Sequence, residues 1–290
     1  AAGKALKMDS IAFDKNRPFE GILLLSDLDG TLLDRKKEIP ARNLRAIRRF
    51  QEMGGLFSIA TGRCPRSAEL VARSAGVNCP AVTLNGAVVY DFAADRPASQ
   101  SCLPERYREI LRDVHAHFPS AGLQVYVGSD IYIVHSNEIV ERLFHIEHIE
   151  KCRQEASFDA IPPQVNKVLI GEENRELQMI RRYLEGRLDG MYGMFTEEQY
   201  YELLPARANK GQGVRRVAEL CGINPACVAV VGDYYNDIDM LQTAAYPMVA
   251  GNAPDDVKIF ARYIAGDCDG GVVADAIEHM ERRLLQRGKL

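Results

Sequence analysis

Residues Ile22 to Asp34 read ILLLSDLDGTLLD, a continuous apolar run that ends in two aspartates one residue apart, followed by Gly30 and Thr31. A short apolar run of this kind reads as a strand buried on both faces, as strands of parallel sheets are. Charge at its end then falls on the carboxyl edge of the sheet, where open α/β sheets bind ligands. Successive strand residues point to opposite faces, so Asp27 and Asp29 are expected on one side for as long as extended geometry persists past Ser26. Two carboxylates this close repel unless a cation lies between them or one keeps its proton. Gly30 lets the chain turn sharply and Thr31 adds a hydroxyl beside the turn. Aspartate and glycine are also ordinary turn formers, so the stretch by itself leaves a plain strand end equally open.

Working outward, Pro40 opens a helical pattern with Leu44, Ile47 and Phe50 on one face, and Gly54-Gly55 closes it. LFSIA, Leu56 to Ala60, reads as a second strand ending in Thr61-Gly62-Arg63; Pro65 opens a helix through Ala75; AVTL, Ala81 to Leu84, reads as a third strand ending in Asn85-Gly86. Strands alternating with helices predict a right-handed parallel α/β sheet. From Ala87 the rhythm changes. Strand patterns AVVYDF, GLQVYV, DIYIVH, QVNKVLIG, MYGMFT and YYELLP arrive largely in adjacent pairs, with helical stretches near Glu105–Phe118, Glu138–Glu150 and Arg175–Leu188. That order predicts a separate α+β unit with an antiparallel sheet. Near Ala208 the alternation resumes, with a helix Gly213–Cys221, a strand CVAVVG and a helix Asp237–Ala244. The expected division is a tail at 1–20, a parallel-sheet core from 21–86 and 206–290, and an inserted α+β domain at 87–205.

The composition is that of an ordinary soluble chain: 290 residues, 47% hydrophobic and 26% charged, long enough for two compact domains. A formal charge of −4 gives no general electrostatic reason to expect nucleic acid as a partner, and the pairs Arg48-Arg49, Arg181-Arg182 and Arg282-Arg283 read as solvated helix faces. No run approaches the roughly 18 to 20 apolar residues that cross a bilayer, so no membrane partner is expected. The first twenty residues are too polar for a signal peptide. The seven cysteines are scattered without a C-x-x-C pair, which predicts buried free thiols in a reducing cytoplasm. Oligomeric state is not written in one sequence.

Four polar clusters fall at strand ends or helix starts of the inferred sheet: Asp27/Asp29, Thr61-Gly62-Arg63, Lys210-Gly211, and Gly232-Asp233 with Asn236-Asp237. Chemistry on a phosphate ester beside magnesium needs what these clusters hold. Asp27 suits a carboxylate nucleophile near a cation. Asp29 suits the group that protonates the leaving oxygen and later deprotonates water. Thr61, the Gly62 N–H and the Lys210 ammonium would receive phosphate oxygens. Magnesium prefers a few carboxylates and several waters, which makes Asp27 and Asp233, with Asp29 beside them, the expected metal set. Asp237, four residues after Asp233, could support it from behind. Taken singly, Thr61-Gly62 reads as well as a helix cap, Lys210 as an exposed lysine and GDYYND as a turn.

Together these motifs resemble the haloacid dehalogenase superfamily of phosphotransferases, over Ile22 to about Ala276. DLDGTLLD resembles its first motif, with Asp27 matching the nucleophile that becomes an aspartyl phosphate and Asp29 the general acid/base. IATGR resembles the second, with Thr61 on the phosphate-binding hydroxyl; NKGQGV places Lys210 on the motif lysine. GDYYNDIDML places Asp233 on the magnesium ligand, with Asn236 and Asp237 on positions that contact phosphate or support the metal shell. TLNGAVVYD before a long insert and ELLP-x4-NKG after it resemble the Cof-type hydrolases, which implies a Rossmann-like core with an inserted class IIB cap. In that subgroup Asn252, of GNAPDDVK, would shape the loop near the metal, and Arg63 and Asn85 lie where substrate or cap is touched. The chain departs from the pattern at Tyr234-Tyr235, two bulky rings where small residues are common.

The resemblance implies a magnesium-dependent phosphatase acting on a small phosphorylated metabolite: a sugar phosphate, a nucleotide or a phosphorylated cofactor. A phosphomutase that returns the phosphoryl group to a sugar is the alternative within the fold. A regulator that binds phosphorylated ligands without turnover is the alternative from another class, and the intact Asp29 argues against it. The insert would read the leaving group, with Arg106, His115, Tyr126, His135 and Lys167 as candidates; His135, on an alternating strand, reads equally as surface.

Overall fold

The computed structural model describes residues 16–147 and 153–287. Residues 1–15 of the expected tail, Cys152 and the end of the Glu138–Glu150 helical stretch lie outside the described residues. The chain divides into two compact units, one made of the residues up to Thr61, Leu70–Ala98 and those from Asn209 on, the other of Gly62–Glu69 and Ser99–Ala208. In chain order the elements are β1 (Leu23–Ser26), α1 (Ala41–Glu52), β2 (Leu56–Ile59), α2 (Pro65–Ala75), β3 (Ala81–Thr83), β4 (Val88–Asp91) and β5 (Arg96–Gln100). There follow α3 (Tyr107–His117), β6 (Gly122–Val127), β7 (Asp130–His135), α4 (Glu138–Glu147), β8 (Arg153–Glu155), β9 (Lys167–Gly171), α5 (Asn174–Leu184), β10 (Met191–Glu197) and β11 (Tyr200–Pro205). The chain closes with α6 (Lys210–Leu220), β12 (Val228–Gly232), α7 (Ile238–Thr243), β13 (Tyr246–Val249), α8 (Asp255–Lys258), β14 (Tyr263–Ile264) and α9 (Val272–Arg287).

The first unit is built on a five-stranded parallel sheet in the order β14-β13-β12-β1-β2. A parallel bridge between Ala60 and Val82 sets β3 beside β2. Leu23, Leu24 and Leu25 are buried, as are Val228, Val230 and Val231 of the neighbouring strand, which is why both stretches read as unbroken apolar runs. From β1 the chain winds outward to β2 and β3, then returns on the other side as β12. The winding therefore reverses between β1 and β12, where open sheets of this kind leave a crevice at the strands' carboxyl ends. Ser26 pairs with Val231, so Asp27 and Asp233 follow directly on adjacent strand ends.

The second unit is an α+β layer pair. Its sheet runs β10-β11-β9-β6-β7-β8, antiparallel apart from the parallel β7–β8 pair. Ile110, Leu111 and Val114 of α3 and Leu177, Ile180 and Leu184 of α5 bury against Leu123, Val125, Val168, Ile170 and Leu203. The spacing of these helix residues, three and four apart, is what gives each helix one apolar face. The change of rhythm at Ala87 is a hairpin rather than a change of unit, because β4 pairs back on β3 and, with β5, makes a three-stranded sheet. No helix among the described residues is long and apolar enough to cross a membrane.

Helix α6 begins at Lys210, earlier than the pattern at Gly213 suggested. The Asn209 side chain accepts from the Gln212 N–H at 2.8 Å and satisfies one of the free donors of the first turn. Further along α6, Gly213 faces Val82 of β3, and a Cβ there would collide with the valine methyls. Gly213→Ala is therefore expected to destabilise the fold by about 1 to 3 kcal/mol despite alanine's better helix propensity, read as a lower urea midpoint with an unchanged slope.

Candidate active site

At the end of β1 the Asp27 N–H still donates to Val231 O at 2.9 Å, so the residue remains on the sheet edge. The chain then folds back: Leu32 N donates to Asp27 O at 3.2 Å and Leu33 N to Leu28 O at 2.8 Å. Gly30 takes a φ of 76° in this turn, and the space a side chain would need is filled by the Asp233 carboxylate. Asp27 is buried, whereas the Asp29 side chain is 36% exposed and accepts from Lys37 Nζ at 2.7 Å. The strand ends before the second aspartate, and the two carboxylates take different partners.

From the first turn of α6 the fully buried Lys210 ammonium donates to Asp27 Oδ1 at 2.7 Å and to Asp237 Oδ1 at 2.6 Å. The other oxygen of Asp237 accepts from the Asp233 N–H at 2.8 Å and the Tyr234 N–H at 3.1 Å. Asp237 thus supports Asp233 through its backbone. The Asp233 carboxylate itself is held from two loops. Thr31 Oγ1 donates to Oδ1 at 3.0 Å, and Asn252 Nδ2 donates to Oδ2 at 3.2 Å and to Gly30 O at 2.9 Å. Asn252 is oriented in turn by the Cys268 N–H, which donates to its Oδ1 at 3.0 Å.

Ligand atoms of Asp27, Asp233 and Asp237 lie within 4.8 Å of one another. Three carboxylates around one ammonium leave an excess of negative charge. Burial pushes Asp27 well above the usual carboxylate range, the Asp237 and Asp233 charges add to the rise, and Lys210 opposes it. Asp233 is pushed from 3.8 up to about 7, first by burial and then by Asp237. Burial would lower Lys210, but Asp237 and Asp27 more than offset it, so the lysine stays charged. An oxygen-preferring divalent cation fits this donor set, because it supplies the charge the cluster lacks. Both oxygens of Asp237 are engaged by N–H donors, so Asp27 and Asp233 are the residues that could hold such an ion. The Asp29 carboxylate lies outside the group of three.

Along the sheet, Thr61 N donates to Val82 O at 2.9 Å and Asn85 N to Thr61 O at 3.0 Å. Asn85, in the left-handed region at φ 51°, accepts at its Oδ1 from Asn236 Nδ2 at 3.3 Å. Thr61, Asn85 and Asn236 are therefore linked within the first unit. Gly62 and Arg63 cluster with the second, where Gly62 O accepts from Lys167 Nζ at 3.0 Å. Tyr234 and Tyr235 are exposed and pack edge to face, with the Tyr235 hydroxyl donating to Asp256.

Two contacts beside the carboxylates have no local signal in the sequence. Thr31, a hydroxyl beside the turn, is fully buried and donates to Asp233 across the sheet edge. Lys37 carries no signal, since nothing in its spacing marks it as the partner of Asp29. In the second unit, Tyr126 and Lys167 come together: Lys167 sits 4.4 Å over the Tyr126 ring and donates to Glu202 at 2.6 Å, all buried. Arg106 faces Asp189 at the surface, and His115 and His135 pack on each other with centroids 4.8 Å apart.

The chain matches the family model of the haloacid dehalogenase-like hydrolases over residues 24–277. It is 28% identical over 255 residues to the pyridoxal phosphate phosphatase of Escherichia coli, covering 83% of this chain and 92% of that one. A 5-amino-6-(5-phospho-D-ribitylamino)uracil phosphatase of Bacillus subtilis is 25% identical over 247 residues, 82% of this chain and 90% of that one. A haloacid dehalogenase-like hydrolase from Bacteroides thetaiotaomicron superposes with a TM-score of 0.81 at 27% identity, over 89% of this chain and 99% of that one.

Burial of Asp233 ties the stability of the fold to pH. The folded chain holds this proton more tightly than the unfolded one, so the buried carboxylate costs nothing below pH 3.8 and its cost grows as pH rises to about 7. In a metal chelator, the stability of the native protein relative to Asp233→Asn is expected to fall across that window in pH-resolved urea titrations. Magnesium is expected to restore it at the upper end.

Proposed function

This chain belongs to the haloacid dehalogenase-like hydrolases and is a phosphatase of small phosphorylated metabolites, and on that premise we propose that it works with magnesium and through a phosphorylated Asp27. The observation that carries this reading is the buried Lys210 shared between Asp27 and Asp237 with Asp233 alongside, a carboxylate nucleophile set among fixed charges. Held by Asp27 and Asp233, magnesium would draw electron density from phosphorus and favour the ionised form of Asp27.

An Asp27 oxygen attacks the phosphorus of the ester, and the bond to the leaving alcohol breaks. Asp29 gives that alcohol its proton, with Lys37 orienting the carboxyl from the solvent side. Asp29 then takes a proton from water, which attacks the same phosphorus, releases phosphate and restores Asp27. Lys210 neutralises charge on Asp27 and on the phosphoryl oxygens throughout, and Asp237 keeps the ammonium aimed at them. The Thr61 hydroxyl and Asn236 amide serve as further phosphate donors. Among substrates, phosphorylated cofactors and their precursors come first, because the relatives named above act on pyridoxal phosphate and on a phosphoribitylaminouracil. A reducing compartment such as the cytoplasm suits the six free cysteines among the described residues.

The reading is tested by phosphate release from a panel of phosphorylated cofactors, sugars and nucleotides, with and without magnesium. Release is expected only with magnesium, and Asp27→Asn is expected to lower kcat by roughly 10⁴-fold or more. Asp29→Asn is expected to lower it by about 10² to 10⁴. Release that survives in Asp27→Asn would overturn the nucleophile assignment. Asn252→Ala, which frees one side of Asp233, is expected to raise the magnesium concentration at half activity by about 10 to 100-fold with a smaller effect on kcat at saturation.

A further inference from the structure

Helix α6 runs alongside β3 in the opposite direction. Its start is beside the strand's end, where Gly86 abuts the Asn209 backbone, and Gly213 lies against Val82. Gly213, Val217 and Cys221 are spaced i, i+4, i+8 and share one face of this helix. The eight residues from Gly213 to Cys221 carry the chain about 12 Å along the helix axis. Three residues back from Val82 carry it about 10 Å along the strand, to Cys79. The two cysteines therefore meet at the far end of the same helix–strand contact, although most of the second unit lies between them in sequence.

There the two thiols are close enough to perturb each other electrostatically. Both residues are partly buried against the apolar core of the first unit, and both thiols are free. Each backbone is also pinned. The Cys221 N–H donates to Val217 O at 3.0 Å, and Asn78, just before Cys79, exchanges bonds with Phe57 through its side-chain oxygen at 2.8 Å and its N–H at 3.2 Å. The Cys79 thiol reaches Phe57 O at 3.8 Å.

We propose that Cys79 and Cys221 are a modification site, a dithiol that hydrogen peroxide converts to an intramolecular disulfide and a small thiol reduces again. The neighbouring Cys79 thiol holds Cys221 below its ordinary range, while Cys221 and burial hold Cys79 above its own, so Cys221, at the more open end of the pair, is the attacking sulfur. Its thiolate attacks one peroxide oxygen, the O–O bond breaks, and the departing hydroxide takes up the proton, leaving a sulfenic acid and one water. The Cys79 sulfur attacks the Cys221 sulfur, the S–O bond breaks, and a second water leaves with the Cys79 proton as the disulfide forms. In sum two thiols lose two protons and two electrons, and one peroxide becomes two waters. The bond would join covalently the two stretches of the first unit that the second unit separates in sequence.

The test treats the full chain with hydrogen peroxide and maps the non-reduced digest by mass spectrometry. The expected result is a Cys79–Cys221 linked peptide lacking two hydrogens, and a fall in thiols titrated after denaturation from seven to five. Dithiothreitol is expected to reverse both. Cys79→Ser and Cys221→Ser, each shown to be folded by circular dichroism, should lose the link, whereas Cys102→Ser, at an exposed position, should keep it. Absence of the link under conditions that oxidise the exposed Cys102, or a link between other cysteines, overturns the proposal.

Discussion

The ammonium of Lys210 is the constraint on which the rest of the first unit depends. Asp27 ends one strand, and Asp233 and Asp237 follow the strand beside it, so the parallel pairing of β1 and β12 forces three acidic groups into one buried place. Without a cation among them such a cluster would take up protons or open. The lysine has to come from a third element, and it has to arrive from inside. That fixes where α6 begins: Asn209 caps it, Lys210 is its first residue, and Gly213 lets the helix lie close enough to β3 for the side chain to reach.

The same charge balance is left incomplete, and the incompleteness is useful. One lysine does not neutralise three carboxylates, and the raised values of Asp27 and Asp233 express what is missing. Asp237 spends both oxygens on the lysine and on two backbone N–H groups, which makes it a strut. Asp233 is held by a hydroxyl and an amide from separate loops and keeps lone pairs for another partner. Rigidity here comes from hydrogen bonds to backbone and short side chains, which lose little rotamer entropy when ordered.

The second unit contains a contrasting pair. Lys167 and Glu202 are as buried as Lys210 and its partners, with the ammonium bonded to the carboxylate and the Tyr126 ring covering the cation. A buried ion pair contributes little net stability and penalises any rearrangement that would separate its members, so it specifies the sheet face on which it sits.

The parallel sheet and the α+β insert were legible in the chain because apolar runs and helical spacing are local signals, each contained within ten or twenty residues. β5 and β14 were not, the one being polar and the other two residues long, and β13 carries a proline in mid-strand. The start of α6 was misjudged because a cap, not a periodicity, determines it. The carboxylate and lysine motifs were visible at their strand ends, since charge at the end of an apolar run has few structural reasons to be there. The sequence by itself therefore determined which side chains are present and on which strand ends they stand. Only the tertiary structure decided that Lys210 bridges Asp27 and Asp237, that Thr31 and Asn252 hold Asp233, that Lys37 takes Asp29, and that Cys79 meets Cys221. Those pairings join residues brought close by strand order and helix packing, or by the path of a turn, and no local pattern encodes such a distance.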